Sequence, residues 1–437
     1  MRLTLGEIVE GQRAEVPCGS PDTSFEGASV DSRAVPPDAL FVGLPGENHD
    51  GGRFAADALR AGAAAALVGR DVWPSIEGEC RANGWSVAVA HDPLVVLQAA
   101  GRHVLGHLGA TVVAITGSVG KTTTKDILVA MLEGAGVTAQ GTPGNQNTEV
   151  GVPLAALGLR DDVDVAVVEM GMRGEGQIAE LVRLAPPDVA CITSVAPVHL
   201  ELLRTIENIA AAKAEILTGL RPGGTAVVPE GEALLDRYVE ALPHGVEVLR
   251  FGDDVPDGVD IALDKAWQRR NAAAAYACCV ALDRLPNPGR PVEVALSAMR
   301  GQERPLPGGG TLIVDCYNAN PVAMEAALRD LARRDGRKVA VLGDMRELGP
   351  DERRFHREVG ARARELGVDL LVAVGDLARD YADGADGVPA VMFPDARAAA
   401  DGVASHLEPG DVVLVKASRG MALEHVADAL VPAHAPR

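Results

Sequence analysis

The sequence predicts an α/β protein built from three domains. The chain has 437 residues, which is more than one hydrophobic core usually organises and suits about three domains of ~150 residues each. Short apolar, β-branched runs alternate with helix-like segments from end to end, which is typical of parallel α/β sheets. Changes in composition near residues 91 and 300 then divide the chain into residues 1–91, 92–299 and 300–437.

Composition limits the partners and the compartment. The formal net charge of −20 disfavours nucleic acid and anionic membranes, because both bind basic surfaces. No apolar run approaches the ~18 residues of a transmembrane helix, so no membrane insertion is expected. The first residues also lack the apolar region of a signal peptide. The six cysteines show no C-x-x-C spacing, which predicts reduced, buried thiols in a cytoplasmic protein.

Residues 1–91 predict a small α/β domain. Its predicted strands and helix occupy residues 39–43, 53–61, 67–68 and 87–89. The segment from Ser29 to Arg33 precedes a turn, and a guanidinium such as that of Arg33 can bind a phosphate or a carboxylate through two hydrogen bonds. Taken alone, however, Asp31 and Arg33 are better explained as an exposed ion pair.

The central domain is organised around residues 111–125. The β-branched run that ends at Thr116 leads into a glycine-rich turn with Lys121 and Thr122, and helical periodicity follows. In such a loop, backbone N–H groups cradle phosphate, the lysine reaches the β- and γ-phosphates and the threonine hydroxyl ligates Mg²⁺. Ile115 occupies the first glycine position of the longer motif, so the loop is the shorter form; an incidental lysine after a structural turn is the alternative. We therefore predict a P-loop ATPase-like domain that binds ATP through Thr116, Gly117, Ser118, Gly120, Lys121, Thr122 and Thr123.

Three further residues of the central domain are candidates for the same site. Glu169 ends an apolar run, and ligands gather at the carboxyl ends of parallel strands, so Glu169 is predicted to bind Mg²⁺ rather than face solvent. His199 follows another apolar run, and such a histidine is more often a packing residue. Lys213 lies among four alanines of a helix predicted over residues 206–217. Small neighbours can lower the pKa of a lysine and make it modifiable, although a solvated lysine is an equal alternative.

The last domain alternates strands and helices again. Strands are predicted at residues 311–314, 339–342, 370–374 and 411–415, and helices at residues 322–333, 352–366, 396–406 and 421–430. This series predicts a parallel sheet with helices on both faces, hence a Rossmann-like domain. No G-x-G-x-x-G follows these strands, so a dinucleotide is not expected. The segments after the strands, which begin at Asp315, Gly343, Gly375 and Lys416, are expected to meet at one edge of the sheet.

Six segments, in this order along essentially the whole chain, form a recognisable set. They are Thr116-Gly-x-x-Gly-Lys-Thr, Glu169-Met-Gly-Met-Arg-Gly, His199-x-Glu with Lys213-Ala-Glu-Ile, Asp315-x-Tyr-Asn-Ala-Asn-Pro, Val341-Leu-Gly-Asp-Met-x-Glu-Leu-Gly and Val415-Lys-x-Ser-Arg-Gly. The set resembles the motifs of the Mur ligase family. Within that family, the fourth and fifth segments favour the reaction that joins a UDP-linked muramoyl tripeptide to D-Ala-D-Ala in cytoplasmic peptidoglycan precursor synthesis.

The resemblance implies that ATP phosphorylates a substrate carboxylate and that an amine then attacks the acyl phosphate. Catalytic residues would be Lys121, Glu169, His199 and Lys213. The resemblance also implies two Mg²⁺ ions, one on Thr122 and Glu169 and one on His199 and a carbamylated Lys213. ATP would also contact Asn271, Arg300 and Asp315. Substrate-binding residues would be Ser29, Asp31, Ser32 and Arg33 toward uridine, Asn145 and Asn147 in the central loop, and Asn318 and Asn320 toward the dipeptide, with Lys416, Ser418 and Arg419 as further candidates.

Some positions depart from the family pattern, and they concern the substrates more than ATP. Gln146 and Thr148 replace an aromatic residue and an asparagine, and Gly52 stands where histidine is common. Two alternatives follow: a Mur ligase paralogue that uses the same chemistry on another acid or amine, and a non-catalytic P-loop regulator. A regulator has no need of a second metal site at His199 and Lys213. The chain is expected to act as a monomer.

Overall fold

The computed structural model of this protein describes residues 1–47, 49–263 and 265–431. Three α/β units follow one another along the chain, and each is built on its own main sheet. The structure thereby confirms the predicted α/β class. The boundaries at residues 91 and 299 stay predictions, and residues 432–437 of the predicted last domain lie outside the described residues.

The N-terminal unit has a five-stranded sheet in the order β2-β7-β6-β5-β4 and a separate β1-β3 pair. Its elements are β1 Arg2–Thr4, α1 Leu5–Val9, β2 Ala14–Cys18, β3 Ser24–Glu26, β4 Ala28–Ser29, β5 Leu40–Val42, α2 Ala55–Arg60, β6 Ala65–Gly69, α3 Trp73–Asn83 and β7 Val87–Ala90. Strands β4 to β7 run parallel and β2 is antiparallel to β7. The three predicted strands are confirmed as β5, β6 and β7, whose residues are buried on both faces except Gly69.

The central unit has a six-stranded, fully parallel sheet in the order β13-β12-β11-β8-β10-β9. Its elements are α4 Pro93–Leu108, β8 Thr111–Thr116, α5 Lys121–Gly134, β9 Ala139–Gly141, α6 Gly151–Leu157, β10 Val165–Glu169, α7 Gln177–Leu184, β11 Val189–Ile192, α8 Leu200–Leu203, α9 Ile206–Ala214, β12 Thr225–Pro229, α10 Ala233–Glu240, β13 Glu247–Phe251 and α11 Ala266–Ala281. Helices α5 and α11 cover one face, and α6, α7 and α9 cover the other.

Helix α4 joins the first two units. Its residues Val96, Leu97 and Val104 pack in one hydrophobic cluster with β5, β6 and two leucines of α6. Leu105, the residue directly after Val104, points to a different neighbour and belongs to a core cluster of the central sheet. Close to the predicted boundary near residue 91, the first and central units therefore share apolar packing around α4.

The C-terminal unit has a six-stranded sheet in the order β14-β15-β19-β16-β17-β18. Its elements are β14 Gln302–Pro305, β15 Thr311–Val314, α12 Pro321–Ala332, β16 Lys338–Gly343, α13 Glu352–Glu365, β17 Leu370–Val374, α14 Ala378–Gly384, β18 Ala390–Phe393, α15 Ala396–Gly402, β19 Val412–Lys416 and α16 Glu424–Leu430. Strand β14 pairs antiparallel with β15, and the other five strands run parallel. Helices α12 and α13 cover one face, and α15 and α16 cover the other.

Two predicted helices of this unit are shorter than expected. The helix predicted over residues 396–406 changes to a 3₁₀ helix at Val403. The helix predicted over residues 421–430 begins only at Glu424, because Ala422 adopts a left-handed φ of 53°.

Two other sequence predictions concern the whole chain. The six cysteines, all within the described ranges, are buried free thiols, as predicted. In the described part of the chain, no helix combines the length and the apolar character that a bilayer crossing requires.

Candidate functional site

A cavity of about 1110 Å³ opens between the central and C-terminal units. The predicted site residues that line it are Ser118, Gly120, Lys121, Thr122, Thr123, Asn145, Asn147, Glu169, His199, Asn271, Arg300, Asp315, Asn318 and Asn320, together with the looser candidate Lys416. Strand order in the central sheet reverses at β8, which lies between β10 and β11. Ligands bind at such a reversal, outside the carboxyl ends of the strands, so the fold brings these residues together where chemistry is expected.

Two glycines shape the loop between β8 and α5. Gly120 has a φ of 90°, and a Cβ there would overlap Oδ1 of Asn271. Gly117 has a φ of 151°, and a Cβ there would overlap the hydroxyl of Thr193. The loop backbone is therefore pressed against side chains from α11 and from the segment after β11. The N–H groups of Ser118 and Val119 donate to the carbonyl and the hydroxyl of Ser194, each at 3.0 Å.

The segment after β11 also holds the loop by hydrogen bonds. The Ser118 hydroxyl donates to the carbonyl of Ala196 at 3.0 Å and accepts from its N–H at 2.9 Å. The Thr193 hydroxyl donates to the carbonyl of Val119 at 2.6 Å. The Thr116 hydroxyl is buried without a hydrogen-bond partner among the described residues, and neither Thr116 nor Gly117 lines the cavity. Both residues therefore belong to the loop without facing the cavity.

Two lysines belong to this part of the site: Lys121 is partly buried and lines the cavity, whereas Lys213 is buried and does not line it. The Lys121 ammonium donates to the carbonyl of Gly117 at 2.8 Å, and burial lowers the pKa of Lys121. Lys213 is only 1% exposed. Burial, followed by the positive charge of Lys121, lowers the pKa of Lys213 well below its ordinary value. The structure thus removes the alternative of a solvated Lys213 and favours a neutral amine at that position.

Glu169 joins the phosphate loop to the loop that precedes α6. Its Oε2 accepts a hydrogen bond from the Thr122 hydroxyl at 2.7 Å. Its Oε1 accepts one from Nδ2 of Asn147 at 2.8 Å. The register of β10 on β8, which pairs Glu169 with Ile115, explains why this carboxylate meets the start of α5. The Thr122 and Glu169 oxygens form the kind of hard-oxygen pair that Mg²⁺ prefers.

His199 forms a contact that the sequence did not predict. Its Nδ1 lies 2.5 Å from Oε2 of Glu347 in the C-terminal unit. This hydrogen bond lowers the pKa of Glu347, and the Arg173 guanidinium approaches the same carboxylate at 3.5 Å. Within the described residues, no group of three or more His, Cys, Asp or Glu side chains is arranged to hold a metal ion. Any metal site at His199 therefore needs ligands from a phosphate, from water or from a modified lysine.

The C-terminal unit contributes a lysine and an arginine to the cavity. Lys416, which is 2% exposed, donates to Oδ2 of Asp315 at 2.8 Å and to the carbonyl of Asn318 at 3.0 Å. The Arg300 guanidinium lies 4.1 Å from the centre of the Tyr317 ring, and its Nε is buried with no hydrogen-bond partner among the described residues. Arg300 is thus positioned to receive an anionic ligand.

The two predicted asparagines of this unit also shape the backbone. Asn318 accepts from the N–H of Ala319 at 2.9 Å, and Asn320 caps α12 by accepting from the N–H of Ala323 at 2.9 Å. The segments after the strands meet as predicted, since the Asp344 carboxylate accepts from the N–H groups of Asp376 and Leu377.

The residues predicted to bind uridine do not line this cavity. Asp31 and Arg33 form an exposed ion pair at 2.8 Å, and hydrogen bonds from Arg33 lower the pKa of Asp31 to about 2. The Ser29 hydroxyl accepts from the N–H of Asp31 at 3.1 Å. The arrangement is a self-contained turn, so the role of Ser29, Asp31, Ser32 and Arg33 in uridine binding stays a prediction.

Other lining residues were not predicted to be site residues, although Met172 and Arg173 belong to the quoted segment that begins at Glu169. They come from the segment before α7, from α7 and from α12, and are Met172, Arg173, Gln177, Glu180, Leu181, Val322, Ala323 and Ala326. Ala323 and Ala326 stand three residues apart just after the cap Asn320, and that spacing puts both on one helical face. In the sequence, this helical spacing was the only indication that α12 would line the cavity.

Three family models match consecutive parts of the chain. The model described as "Mur ligase family, catalytic domain" matches residues 24–107, "Mur ligase middle domain" matches residues 115–276, and "Mur ligase, glutamate ligase domain" matches residues 299–419.

Several relatives and solved structures match over nearly their full length. A UDP-N-acetylmuramoyl-tripeptide–D-alanyl-D-alanine ligase of Bacillus subtilis is 32% identical, with 94% of each chain covered. The protein of that name from Escherichia coli is 30% identical, with 98% of each chain covered. A crystal structure of MurF from Acinetobacter baumannii has a TM-score of 0.82 and 26% identity, covering 98% of this chain and 99% of that one. MurF ligase from Thermotoga maritima, solved in complex with ADP, has a TM-score of 0.76 and 29% identity, covering 93% and 97%.

Proposed function

This chain belongs to the Mur ligase family, and on that premise we propose that it joins UDP-N-acetylmuramoyl-tripeptide to D-Ala-D-Ala at the expense of ATP. It is an ATP-dependent peptide ligase of peptidoglycan precursor synthesis. One observation carries the proposal: the phosphate loop and Glu169 of the central unit face the segment from Asp315 to Asn320 of the C-terminal unit across one cavity. A cavity of about 1110 Å³ has room for a nucleotide and a second reactant together.

The reaction that we propose has two steps. An oxygen of the tripeptide carboxylate attacks the γ-phosphorus of ATP, ADP leaves, and an acyl phosphate forms. The amine of the dipeptide then attacks the carbonyl carbon, the amide bond forms, and inorganic phosphate leaves with the former carboxylate oxygen. Both reactants of the first step are anions, so the site must offset their repulsion. Lys121 and Arg300, which line the cavity, are the cations proposed for that purpose.

Mg²⁺ is proposed on the oxygens of Thr122 and Glu169, which lie 2.7 Å apart. When bound there, the ion neutralises phosphate charge and orients the triphosphate. The donor set fits the ion, because both side chains offer hard oxygen ligands at the mouth of the phosphate loop. Asn147 fixes the other carboxylate oxygen and so holds Glu169 in orientation.

A second ion on His199 and Lys213 is also proposed, and it depends on carbamylation of Lys213. A neutral lysine amine attacks CO₂, loses a proton and becomes an anionic carbamate, which supplies oxygen ligands that an ammonium cannot. The low pKa of Lys213, caused by burial and by Lys121, supports the required neutral amine. Because Nδ1 of His199 contacts Glu347, only its Nε2 is free for a ligand in this arrangement.

One incubation tests the proposed function. The protein is mixed with ATP, Mg²⁺, UDP-N-acetylmuramoyl-tripeptide and D-Ala-D-Ala, and phosphate release is followed with each component omitted in turn. Release that requires all four, with a new amide product by mass spectrometry, is the expected result. Release only with another acid or amine would instead identify a paralogue. Absence of turnover together with tight ATP binding would favour a regulator.

Compartment and oligomeric state complete the proposal. We place the reaction in the cytoplasm, which the six buried free thiols support, and we propose a monomer. Light scattering during size-exclusion chromatography measures the mass directly, and a value near the 45.3 kDa of the chain is expected.

A further inference from the structure

We propose that Lys125 and Asp126, on the first turns of α5, are positioning residues that couple the nucleotide site to the loop at residues 142–149 and to the crossing into the C-terminal unit. The inference deepens the proposed function and rests on it. Neither residue lines the cavity, so both would act through the groups that they hold.

Lys125 fixes the start of the loop. Its side chain is only 5% exposed, and its ammonium donates to the carbonyl of Thr142 at 2.8 Å. The aliphatic part of the same side chain fills the space beside Gly141, where an added Cβ would lie 3.1 Å from its Cγ and Cδ atoms. A buried ammonium is costly unless it is paired, so this arrangement stabilises one position of Thr142 strongly.

Thr142 in turn holds Glu169. Its hydroxyl accepts from the N–H of Glu169 at 3.1 Å, and its own N–H donates to the carbonyl of Val167 at 2.9 Å. Five residues later, Asn147 donates to the Glu169 carboxylate at 2.8 Å. Thr142 at the start of the loop and Asn147 near its end therefore both contact Glu169. Lys125 holds the Thr142 end in place.

Asp126 fixes the crossing between the units. Its Oδ1 lies 3.2 Å from the Lys125 ammonium, and its Oδ2 accepts from the N–H of Ser297 at 2.8 Å. Two residues further on, Met299 has a φ of 60°, and Gly301 after it has a φ of 74°. This bend carries Arg300 into the cavity.

One ion pair on α5 thus holds three parts of the site in a fixed relation. The phosphate loop leads directly into α5, which carries the ion pair. The Lys125 ammonium holds the loop at residues 142–149, and the Asp126 carboxylate holds the chain before Arg300. A shift of about 1 Å in such positions is enough to lower a rate strongly, because the reactants must meet in a narrow range of distance and angle.

The test replaces Lys125 by Met, which keeps the length of the side chain and removes the charge. The Lys125→Met enzyme should show a KM for UDP-N-acetylmuramoyl-tripeptide raised about tenfold, whereas the Kd for ADP, measured by calorimetry, should change less than twofold. Hydrogen–deuterium exchange at residues 142–149 should become at least tenfold faster. Lys125→Arg should restore most of the KM. The control is Lys338→Met, which removes a half-exposed lysine at the start of β16 in the C-terminal unit and should change none of these values.

Asp126 is tested separately. Asp126→Ala should speed exchange at residues 297–301 and leave the Kd for ADP within twofold of the parent. If Lys125→Met does not fold, Asp126→Ala, which removes the carboxylate partner of the same ion pair, supplies the exchange and ADP readouts.

Either of two results would overturn the inference: exchange in both segments unchanged in the variants, or a Kd for ADP that weakens as much as the tripeptide KM rises. Failure of the proposed function is distinguishable, because the parent would then fail to turn over the tripeptide while the exchange and ADP measurements still report on the coupling.

Discussion

Replacement of Glu169 by Gln separates the proposed metal role from a structural role. In Glu169→Gln the amide oxygen can accept from Asn147, and the amide NH₂ can donate to the Thr122 hydroxyl, so both present hydrogen bonds are kept. We therefore expect the free energy of unfolding to change by less than ~1 kcal/mol. Glu169→Ala, which leaves both partners unpaired in a buried site, should cost about 1–3 kcal/mol.

The catalytic activity of Glu169→Gln, unlike its stability, should fall strongly. Gln carries no negative charge and is a weak ligand for Mg²⁺, so kcat/KM should fall at least ~100-fold, which corresponds to about 2.7 kcal/mol of transition-state stabilisation. The Mg²⁺ concentration at half-maximal rate should rise. Phosphate release measured across a Mg²⁺ titration, with thermal denaturation of the same samples, gives both quantities. Glu133→Gln, an exposed residue near the far end of α5, is the matched control.

Two results would refute this reasoning. A Glu169→Gln enzyme with the parental rate and Mg²⁺ requirement would show that the carboxylate charge is not used. A Glu169→Gln enzyme as destabilised as Glu169→Ala would show that the residue is structural.

Three other predictions concern separate parts of the molecule. Lys213→Ala should lower phosphate release at least ~100-fold, and ¹³C NMR of the parent in ¹³C-bicarbonate should show a carbamate signal that the variant lacks; a fully active variant would remove the carbamate assignment. Gly120→Ala should weaken ADP binding at least tenfold by calorimetry, because the new Cβ overlaps Asn271; an unchanged Kd would contradict the loop geometry. Burial lowers the pKa of His356 below its ordinary value of 6.5, so the unfolded chain binds the proton first and stability should fall as pH drops below ~6.5, by at most ~1.4 kcal/mol per pH unit. Thermal denaturation between pH 5 and 8 should show this slope, and His356→Gln should reduce it; equal slopes would contradict the cause.

The sequence was sufficient for the parts of the site that follow from local pattern. Glu169 ends a buried parallel strand, Thr122 lies at the start of the helix that follows the neighbouring strand, and neighbouring strand ends meet wherever the sheet forms. The same logic correctly brought Asp315 and Lys416 together, because their strands β15 and β19 are adjacent.

Edge strands were missed for a physical reason. Strand β14 is polar and half-exposed, and β18 alternates exposed and partly buried residues, so neither has the continuous apolar run that marked the central strands. The C-terminal sheet consequently has six strands rather than the four predicted.

Contacts between segments that are distant along the chain could not be predicted from the sequence either. His199 and Glu347 are 148 positions apart, and no periodicity connects them. The hydrogen bond from Asn147 to Glu169 likewise depends on how the intervening loop folds back, so the sequence placed Asn147 with the substrate and not beside the proposed Mg²⁺ ligand. Such pairings are set by tertiary packing, which single-sequence patterns do not encode.

An isotope experiment tests the central chemical claim most directly. UDP-N-acetylmuramoyl-tripeptide with ¹⁸O in its reacting carboxylate is turned over with ATP and D-Ala-D-Ala, and the released phosphate and nucleotide are analysed by mass spectrometry. An acyl phosphate intermediate predicts one ¹⁸O atom in each inorganic phosphate and none in ADP. Unlabelled phosphate, or label found in AMP, would contradict the proposed reaction.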